Sequence, residues 1–210
     1  MSIKNSVKRL INSALTNHEI VSKISLDLSQ YVEEPTDIID VGVYRGTDFL
    51  FEAYPNSYYH LVEPNIQTHD FINKVLLNQY EGQLYKCAAG EKKGELYLSL
   101  EEDESRLNNK LGNRVPVERL DDIISLPLDN NTILKIDVEG HELDVLRGSN
   151  ILLDSCNMVI LELRLRGRKK VSDPDSIIKF LSERGLKFAD IMGEGRRKDG
   201  LNFIDAVFIR

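Results

Sequence analysis

Asp37-Ile38-Ile39-Asp40-Val41-Gly42-Val43-Tyr44-Arg45-Gly46 reads as a buried strand that stops at an acid and runs into a turn carrying two glycines. A helix is expected to start at Thr47 or Asp48, with an acid in its first turn where the helix dipole favours it. Glycines at 42 and 46 let backbone approach something bulky, and Asp40 offers an acceptor beside them. The turn lacks a phosphate grip. A dinucleotide fingerprint needs G-x-G-x-x-G, whereas Gly42 and Gly46 stand alone with three residues between them, and no Gly-Lys-Ser/Thr follows to make a P-loop. Such a cradle suits a cofactor that has adenosine but no pyrophosphate, and S-adenosylmethionine is the candidate.

At 210 residues the chain is expected to bury a core of its own without disulfide or metal staples. Hydrophobic residues at 41% and charged residues at 29% are ordinary for a globular protein. A net charge of -7, from 34 acids against 27 bases, argues against a general nucleic-acid coat, so no nucleic-acid partner is expected. Cys87 and Cys156 both fall in apolar, strand-like runs and read as small buried hydrophobes rather than a disulfide. No apolar run approaches the roughly 20 residues that span a bilayer, so no membrane span and a cytoplasmic, reducing home are expected.

Outward from the central stretch, residues 1 to 34 place Ile3, Val7, Leu10, Ile11, Ile20, Ile24, Leu28 and Tyr31 at helical spacing. They predict an N-terminal helical segment, ended by Glu33-Glu34-Pro35, ahead of a main domain over 35–210. Tyr58 to Val62 predicts a second strand ending at Glu63, and residues 65 to 80 a helix with Phe71, Ile72, Val75, Leu76 and Gln79 on one side. A third strand is predicted over Leu84 to Ala89, an exposed ribbon over Glu95 to Leu100, and a mobile, irregular loop over Glu101 to Asn113. Leu120 to Ile124 reads as a short helix. Ile133 to Asp137 reads as a fourth strand, followed by a helix with Leu143, Leu146 and Ile151-Leu152-Leu153 inward. Met158 to Leu163 is a fifth strand, and Ser172-Asp173-Pro174 opens a capped helix that stops before Gly185. Leu186 to Ile191 and Phe203 to Ile209 close the chain as two strands expected to pair antiparallel.

Strands alternating with helices predict a mostly parallel, twisted α/β sheet covered on both faces. In such sheets ligands bind outside the carboxyl ends of the strands. Asp40, Glu63, Gly90, Asp137 and Glu162 all fall at or near those ends. Glu63 lies 23 residues beyond Asp40, about where a ribose-binding carboxylate falls in a nucleotide-binding β-α-β unit.

The segment from Leu134-Lys135-Ile136-Asp137-Val138-Glu139-Gly140-His141-Glu142-Leu143 to Gly148 resembles the signature of FkbM-type methyltransferases. Val115-Pro116-Val117-Glu118-Arg119-Leu120-Asp121-Asp122-Ile123 is similar to the stretch that precedes that signature. The turn after Asp40, the Val62-Glu63-Pro64-Asn65 strand end and Ala88-Ala89-Gly90 follow in the family's order, over roughly residues 36 to 165. Tyr44 stands where the family has Asn. The resemblance implies a Rossmann-like class I methyltransferase fold, with a mostly parallel seven-stranded sheet and an antiparallel last strand. It also implies S-adenosylmethionine as methyl donor and a hydroxyl as acceptor.

These readings converge on named residues. Asp40, Gly42, Gly46, Glu63, Ala88, Ala89 and Asp137 are the expected cofactor contacts. Methyl transfer to a hydroxyl is an in-line attack in which one proton must be managed, and Asp137, Glu139 and His141 are the catalytic candidates. Asp137, Glu139 and His141 also resemble a metal-ligand set, but their spacing is not a recognised motif and no metal is expected. Glu162, an acid in an apolar strand, and Arg164 and Arg166 are the acceptor-binding candidates. With Arg168, Lys169 and Lys170, and with Arg196-Arg197-Lys198, those arginines point to a phosphate- or carboxylate-bearing small-molecule or glycan acceptor, such as a nucleotide-linked sugar. The rival readings are an NAD(P)-dependent oxidoreductase on a similar sheet and a non-catalytic binding module. The protein is expected to be a monomer or a homodimer.

Overall fold

A computed structural model describes residues 20–23, 26–101, 104–108, 113–165, 172–198 and 200–210. The expected helices before residue 20, and the basic residues Arg166, Arg168, Lys169 and Lys170, lie outside the described residues.

The central stretch is strand β2 (Asp37–Val41), and Thr47 precedes helix α1 (Asp48–Ala53). The chain continues through β3 (Tyr58–Val62) and α2 (Ile66–Phe71), which runs on as one wide turn over Ile72–Leu76, to β4 (Gly82–Tyr85). After the segment that builds a second sheet come α3 (Leu120–Ile123), β9 (Thr132–Ile136), α4 (Glu142–Arg147), α5 (Leu152–Ser155) and β10 (Cys156–Arg164). Helix α6 (Pro174–Ser182) leads to β11 (Lys187–Arg197) and β12 (Gly200–Ile209). Asp173 caps α6 by accepting the Ser176 amide, and Pro174 stands in its first turn. Its Ile177 and Leu181, one turn apart, are fully buried, each worth about 1.5–3 kcal/mol of transfer free energy.

The main sheet runs in the order β11-β12-β10-β9-β2-β3-β4, with a short strand β1 (Ile20–Lys23) added antiparallel beyond β11. β2, β3, β4, β9 and β10 pair in parallel, and the last strand, β12, enters antiparallel between β10 and β11. This is the Rossmann-like class I sheet that the sequence predicts. Each face carries an apolar cluster. Ile39, Val41, Leu134, Ile136 and Leu161 pack with α3 to α6 on one side. Ile38, Ile133, Met158, Ile160 and Val207 pack with α1 and the turn after α2 on the other.

Five expectations need correction. Ile20–Lys23 is a strand, because the free edge of β11 offers main-chain partners that outweigh helical spacing, and Leu28–Gln30 is a single 3-10 turn. The predicted third strand breaks at Lys86-Cys87. Its first half stays in the main sheet, and Ala88-Ala89 becomes β5 of a second sheet. That sheet, ordered β5-β8-β6-β7, also takes β6 (Gly94–Glu101), β7 (Glu104–Asn108) and β8 (Asn113–Glu118). The stretch expected to be an irregular loop therefore contains β7, which pairs antiparallel with β6, since polar residues do not forbid a main-chain ladder at a sheet edge. After α2 only Ile72 and Leu76 of the expected stripe are buried, while Phe71 and Val75 are exposed, because the wide turn rotates the face. Ile151 is exposed too: it precedes α5, and Leu152 and Leu153 fill the core instead.

Candidate active site at the strand ends

The first glycine turn is built by close contact. Gly42 has φ +84°, and a Cβ on it would fall 1.8 Å from the Asp137 carbonyl oxygen, so the turn after β2 rests directly on the end of β9. Tyr44 takes φ +49°, a left-handed value uncommon for a bulky residue. The strain places the Tyr44 amide where it donates to Glu63 Oε2 at 2.7 Å, and the Asn65 amide donates to Glu63 Oε1 at 2.6 Å. Glu63 is thus buried with each oxygen holding one backbone donor and one free lone-pair direction, the arrangement that suits a vicinal diol. Burial pushes its carboxyl above the usual range, against the pull of those two amides. Tyr44, whose amide bonds Glu63, and Ile66, three residues beyond it, leave apolar side chains exposed, at 50% and 68%.

Asp40 is fully buried on β2, level with Lys135 of β9. The Lys135 ammonium stands 3.3 Å from Asp40 Oδ1 and 3.6 Å from Asp137 Oδ2. The first contact lacks hydrogen-bond alignment, so both Asp40 oxygens are without a hydrogen-bond donor among the described residues. Burial alone pulls the Lys135 ammonium down, but the Asp40 and Asp137 carboxylates outweigh it and hold the group above its ordinary value. A buried carboxylate without a hydrogen-bond donor and a second one shaped for a diol together fit an adenosine-bearing, positively charged cofactor.

The same sheet face continues past its apolar cluster into a row of charges. One rung beyond the Leu161–Ile136 pair, Glu162 stands abreast of Asp137, and on its other side it pairs in register with Asp205 of β12. Arg164 lies two residues on; its Nε is 2.5 Å from Glu162 Oε1 and its Nη2 donates to Glu139. Glu139 reaches that partner from a left-handed backbone, φ +57°. Burial pushes the Glu162 carboxyl up to about 8; Arg164 opposes this, and Asp137, Glu139 and Glu142 add to it. Glu142 is buried as well and accepts the Gly140 amide at 2.8 Å. Among the described residues no group of His, Cys, Asp and Glu is arranged to hold a metal ion.

His141 is not part of this row. Its Nδ1 lies 3.2 Å from Asp144 Oδ2, and both residues line an open cleft of about 300 Å³ with Ala89, Gly90, Lys92 and Glu95, against the second sheet. The helix that follows sends Val145 and Leu146 into the opposite apolar cluster. Ala88 and Ala89 are buried in β5, which pairs with Val117 and Glu118. Gly46 closes the first turn by donating its amide N–H to the Val43 carbonyl at 2.8 Å. Arg196, Arg197 and Lys198 are exposed at the tip of the β11–β12 hairpin, which reaches the same rim because β11 runs parallel to β10. Arg196 makes a two-pronged contact with Glu194, at 2.6 and 3.1 Å.

Sequence reasoning missed Lys135 and Asp205. Each is a charged residue in the middle of an apolar strand run, Ile133-Leu134-Lys135-Ile136 and Phe203-Ile204-Asp205-Ala206, which is the signal that singled out Glu162.

Over 54 residues, 26% of this chain and 20% of the other, the sequence is 44% identical to the hexuronic acid methyltransferase AglP of Haloferax volcanii, so it matches about a fifth of that relative's length. The fold is similar to fibrillarin from Aeropyrum pernix in complex with S-adenosyl-L-methionine, at 13% identity and a TM-score of 0.50, covering 85% of this chain and 68% of that one. It is similar to TehB from Haemophilus influenzae at 9% identity and a TM-score of 0.50, covering 88% and 60%. Both likenesses speak to the fold. The family model for the methyltransferase FkbM domain matches residues 40–188, from the buried Asp40 to the start of β11. The chain belongs to the FkbM family of methyltransferase domains, enzymes that take their methyl group from S-adenosylmethionine.

Proposed function

We propose that the chain methylates a hydroxyl of a small or carbohydrate-type acceptor that carries a phosphate or carboxylate elsewhere. The observation that carries this reading is the charged row Asp137, Glu162, Asp205 and Arg164 at the strand ends. Carboxylates in a row accept hydrogen bonds from the several hydroxyls of a sugar, and they repel an anion brought to the same place. The anionic part of the acceptor would instead meet Arg196, Arg197 and Lys198 at the hairpin tip. The partial likeness to a hexuronic acid methyltransferase supports a carbohydrate acceptor.

When bound, the cofactor supplies an electrophilic methyl group on a sulfonium. On this reading Glu63 holds the ribose hydroxyls, the Gly42–Gly46 turn gives room for the close approach, and Ala88 and Ala89 flank the adenine. Asp40 and Asp137 present negative charge to the cofactor's cationic end. Asp137 and Glu139 border the acceptor, Glu162 and Arg164 bind it, and His141 lines the cleft beside Ala89. Cys87 and Cys156 are free and buried, with burial pushing their thiols up to about 11 and about 12, in keeping with a cytoplasmic setting. Among the described residues no helix is long and apolar enough to cross a membrane.

The test is transfer from labelled S-adenosylmethionine to neutral sugars, uronic acids and nucleotide-linked sugars. The expected product is a methyl ether, stable to mild base, formed fastest on the acceptors that carry an anionic group. A base-labile methyl ester, or equal rates on neutral and anionic sugars, would refute the corresponding half of the reading.

A further inference from the structure

Transfer to a hydroxyl leaves one proton to be removed, and the groups along the acceptor face differ in how committed they are. The Asp137 carboxylate lies 3.6 Å from the Lys135 ammonium. Glu139 accepts the hydrogen bond of Arg164 Nη2, Glu142 accepts the Gly140 amide, and His141 is held by Asp144 beside the second sheet. Glu162 is held by charge, as the ion-pair partner of Arg164, and not by an aligned hydrogen bond at Oε1. It is buried in mid-row, and its Oε1 touches Arg164 Nε at 2.5 Å without the alignment of a hydrogen bond, so that oxygen and that nitrogen both lack a hydrogen-bond partner among the described residues.

We propose that Glu162 is the catalytic residue that takes the acceptor hydroxyl's proton, and that Arg164 is the positioning residue that ties its strand to Glu139. The inference rests on the hydroxyl-acceptor reading above. As the acceptor O–H bond breaks, its proton passes to a Glu162 carboxylate oxygen. The acceptor oxygen's electron pair forms a bond to the methyl carbon, and the S–C bond breaks with its pair remaining on sulfur, so the sulfonium becomes a neutral thioether. Charge is conserved: a carboxylate and a sulfonium become a carboxylic acid and a thioether.

The surroundings of Glu162 suit the task. Asp137 from β9, Glu139 and Glu142 from the following loop and helix, and Asp205 from β12 face it with like charge. Arg164 on its own strand opposes them, and Lys135 stands two residues before Asp137 on β9. Burial and those carboxylates together raise the carboxyl to about 8, so its conjugate base is strong enough to accept a proton and present in quantity just above neutral pH.

The test compares wild type with Glu162→Gln and Glu162→Asp, the Gln side chain matching the protonated acid in shape. In the protein without ligands, isotope-edited infrared titration of glutamate carboxyls is expected to show one band titrating near 8 that vanishes in Glu162→Gln. S-adenosylhomocysteine affinity by calorimetry is expected to stay within threefold of wild type in both variants. On an acceptor that the wild type methylates, Glu162→Gln is expected to lower kcat by about 10²–10⁴-fold. Glu162→Asp is expected to recover part of that loss, and the wild-type rate is expected to rise with pH to a plateau above about 8. A Glu162 that is already ionised at pH 6, or a Glu162→Gln variant within tenfold of wild-type kcat, would overturn the proposal. A wild type that binds S-adenosylhomocysteine yet methylates no hydroxyl would overturn the acceptor reading instead, and the infrared titration separates the two failures.

Discussion

Replacing Lys135 with Met should unmask the charge stored in the centre of the sheet. The side chain keeps its apolar stem and loses its ammonium, leaving Asp40 a fully buried carboxylate with no cation within reach among the described residues. A unit charge pair at 3.3 Å in a medium of effective dielectric about 20 is worth roughly 5 kcal/mol of Coulomb attraction. Removing one partner of a buried pair is expected to cost about 3–5 kcal/mol of folding free energy, because the survivor's desolvation is no longer offset. Urea denaturation of Lys135→Met, Asp40→Asn and the double variant measures this directly. The double variant should recover at least half of the single variant's loss, since a neutral amide needs no counter-ion. Acid should narrow the gap between Lys135→Met and wild type, because an orphaned buried carboxylate has a raised folded-state pKa and becomes tolerable once protonated. At the other end of the scale, Lys135 has its folded-state value raised by Asp40 and Asp137. Its stabilisation is therefore complete below the ordinary lysine value of 10.5 and is lost as pH rises through the folded value. A Lys135→Met protein within 1 kcal/mol of wild type, or a double variant no better than the single, would refute this account.

Other perturbations test other contacts. Glu63→Ala should weaken S-adenosylhomocysteine by roughly 1.5–3 kcal/mol in a calorimetric titration, the usual loss for hydrogen bonds to a charged group, and unchanged affinity would remove Glu63 from the site. Gly42→Ala should lower the melting temperature by well over 5 °C, since the new methyl would meet the Asp137 carbonyl at 1.8 Å in a backbone of positive φ; a melting curve like that of wild type would show that the turn can move.

The sheet was legible in the sequence because its parallel strands are buried on both faces, and continuous runs such as Ile38-Ile39 and Met158 to Leu163 have no other comfortable home. The acids that end those runs marked the rim for the same reason. What escaped notice depends on pairing rather than composition. β7 is a polar strand held by its ladder with β6, and Ile20–Lys23 joins an edge that only the folded chain provides. Within the site, Glu63 was readable from its distance beyond Asp40, whereas the separation of His141 from Glu162 was not. Asp137, Glu139 and His141 are close in sequence, but the chain turns through left-handed Glu139 and Gly140 between them and sends the histidine to the second sheet. Lys135 was passed over because its significance lies in what β2 places beside it.

β9 is a border strand: it pairs with β2, which bears the turn expected to hold the methyl donor, and with β10, which opens the charged row proposed to meet the acceptor. The two halves of the rim therefore meet along one line, with Lys135 touching Asp40 of β2 and Asp137 at the end of its own strand. Beyond that line, the tip of the β11–β12 hairpin is exposed, whereas β10 shares both apolar clusters with β2 and β3. Such a layout separates inheritance from innovation. Lineages that retain the donor half can acquire new acceptors by redrawing the hairpin tip alone, and chimaeras that swap that tip are the natural place to exchange one acceptor preference for another.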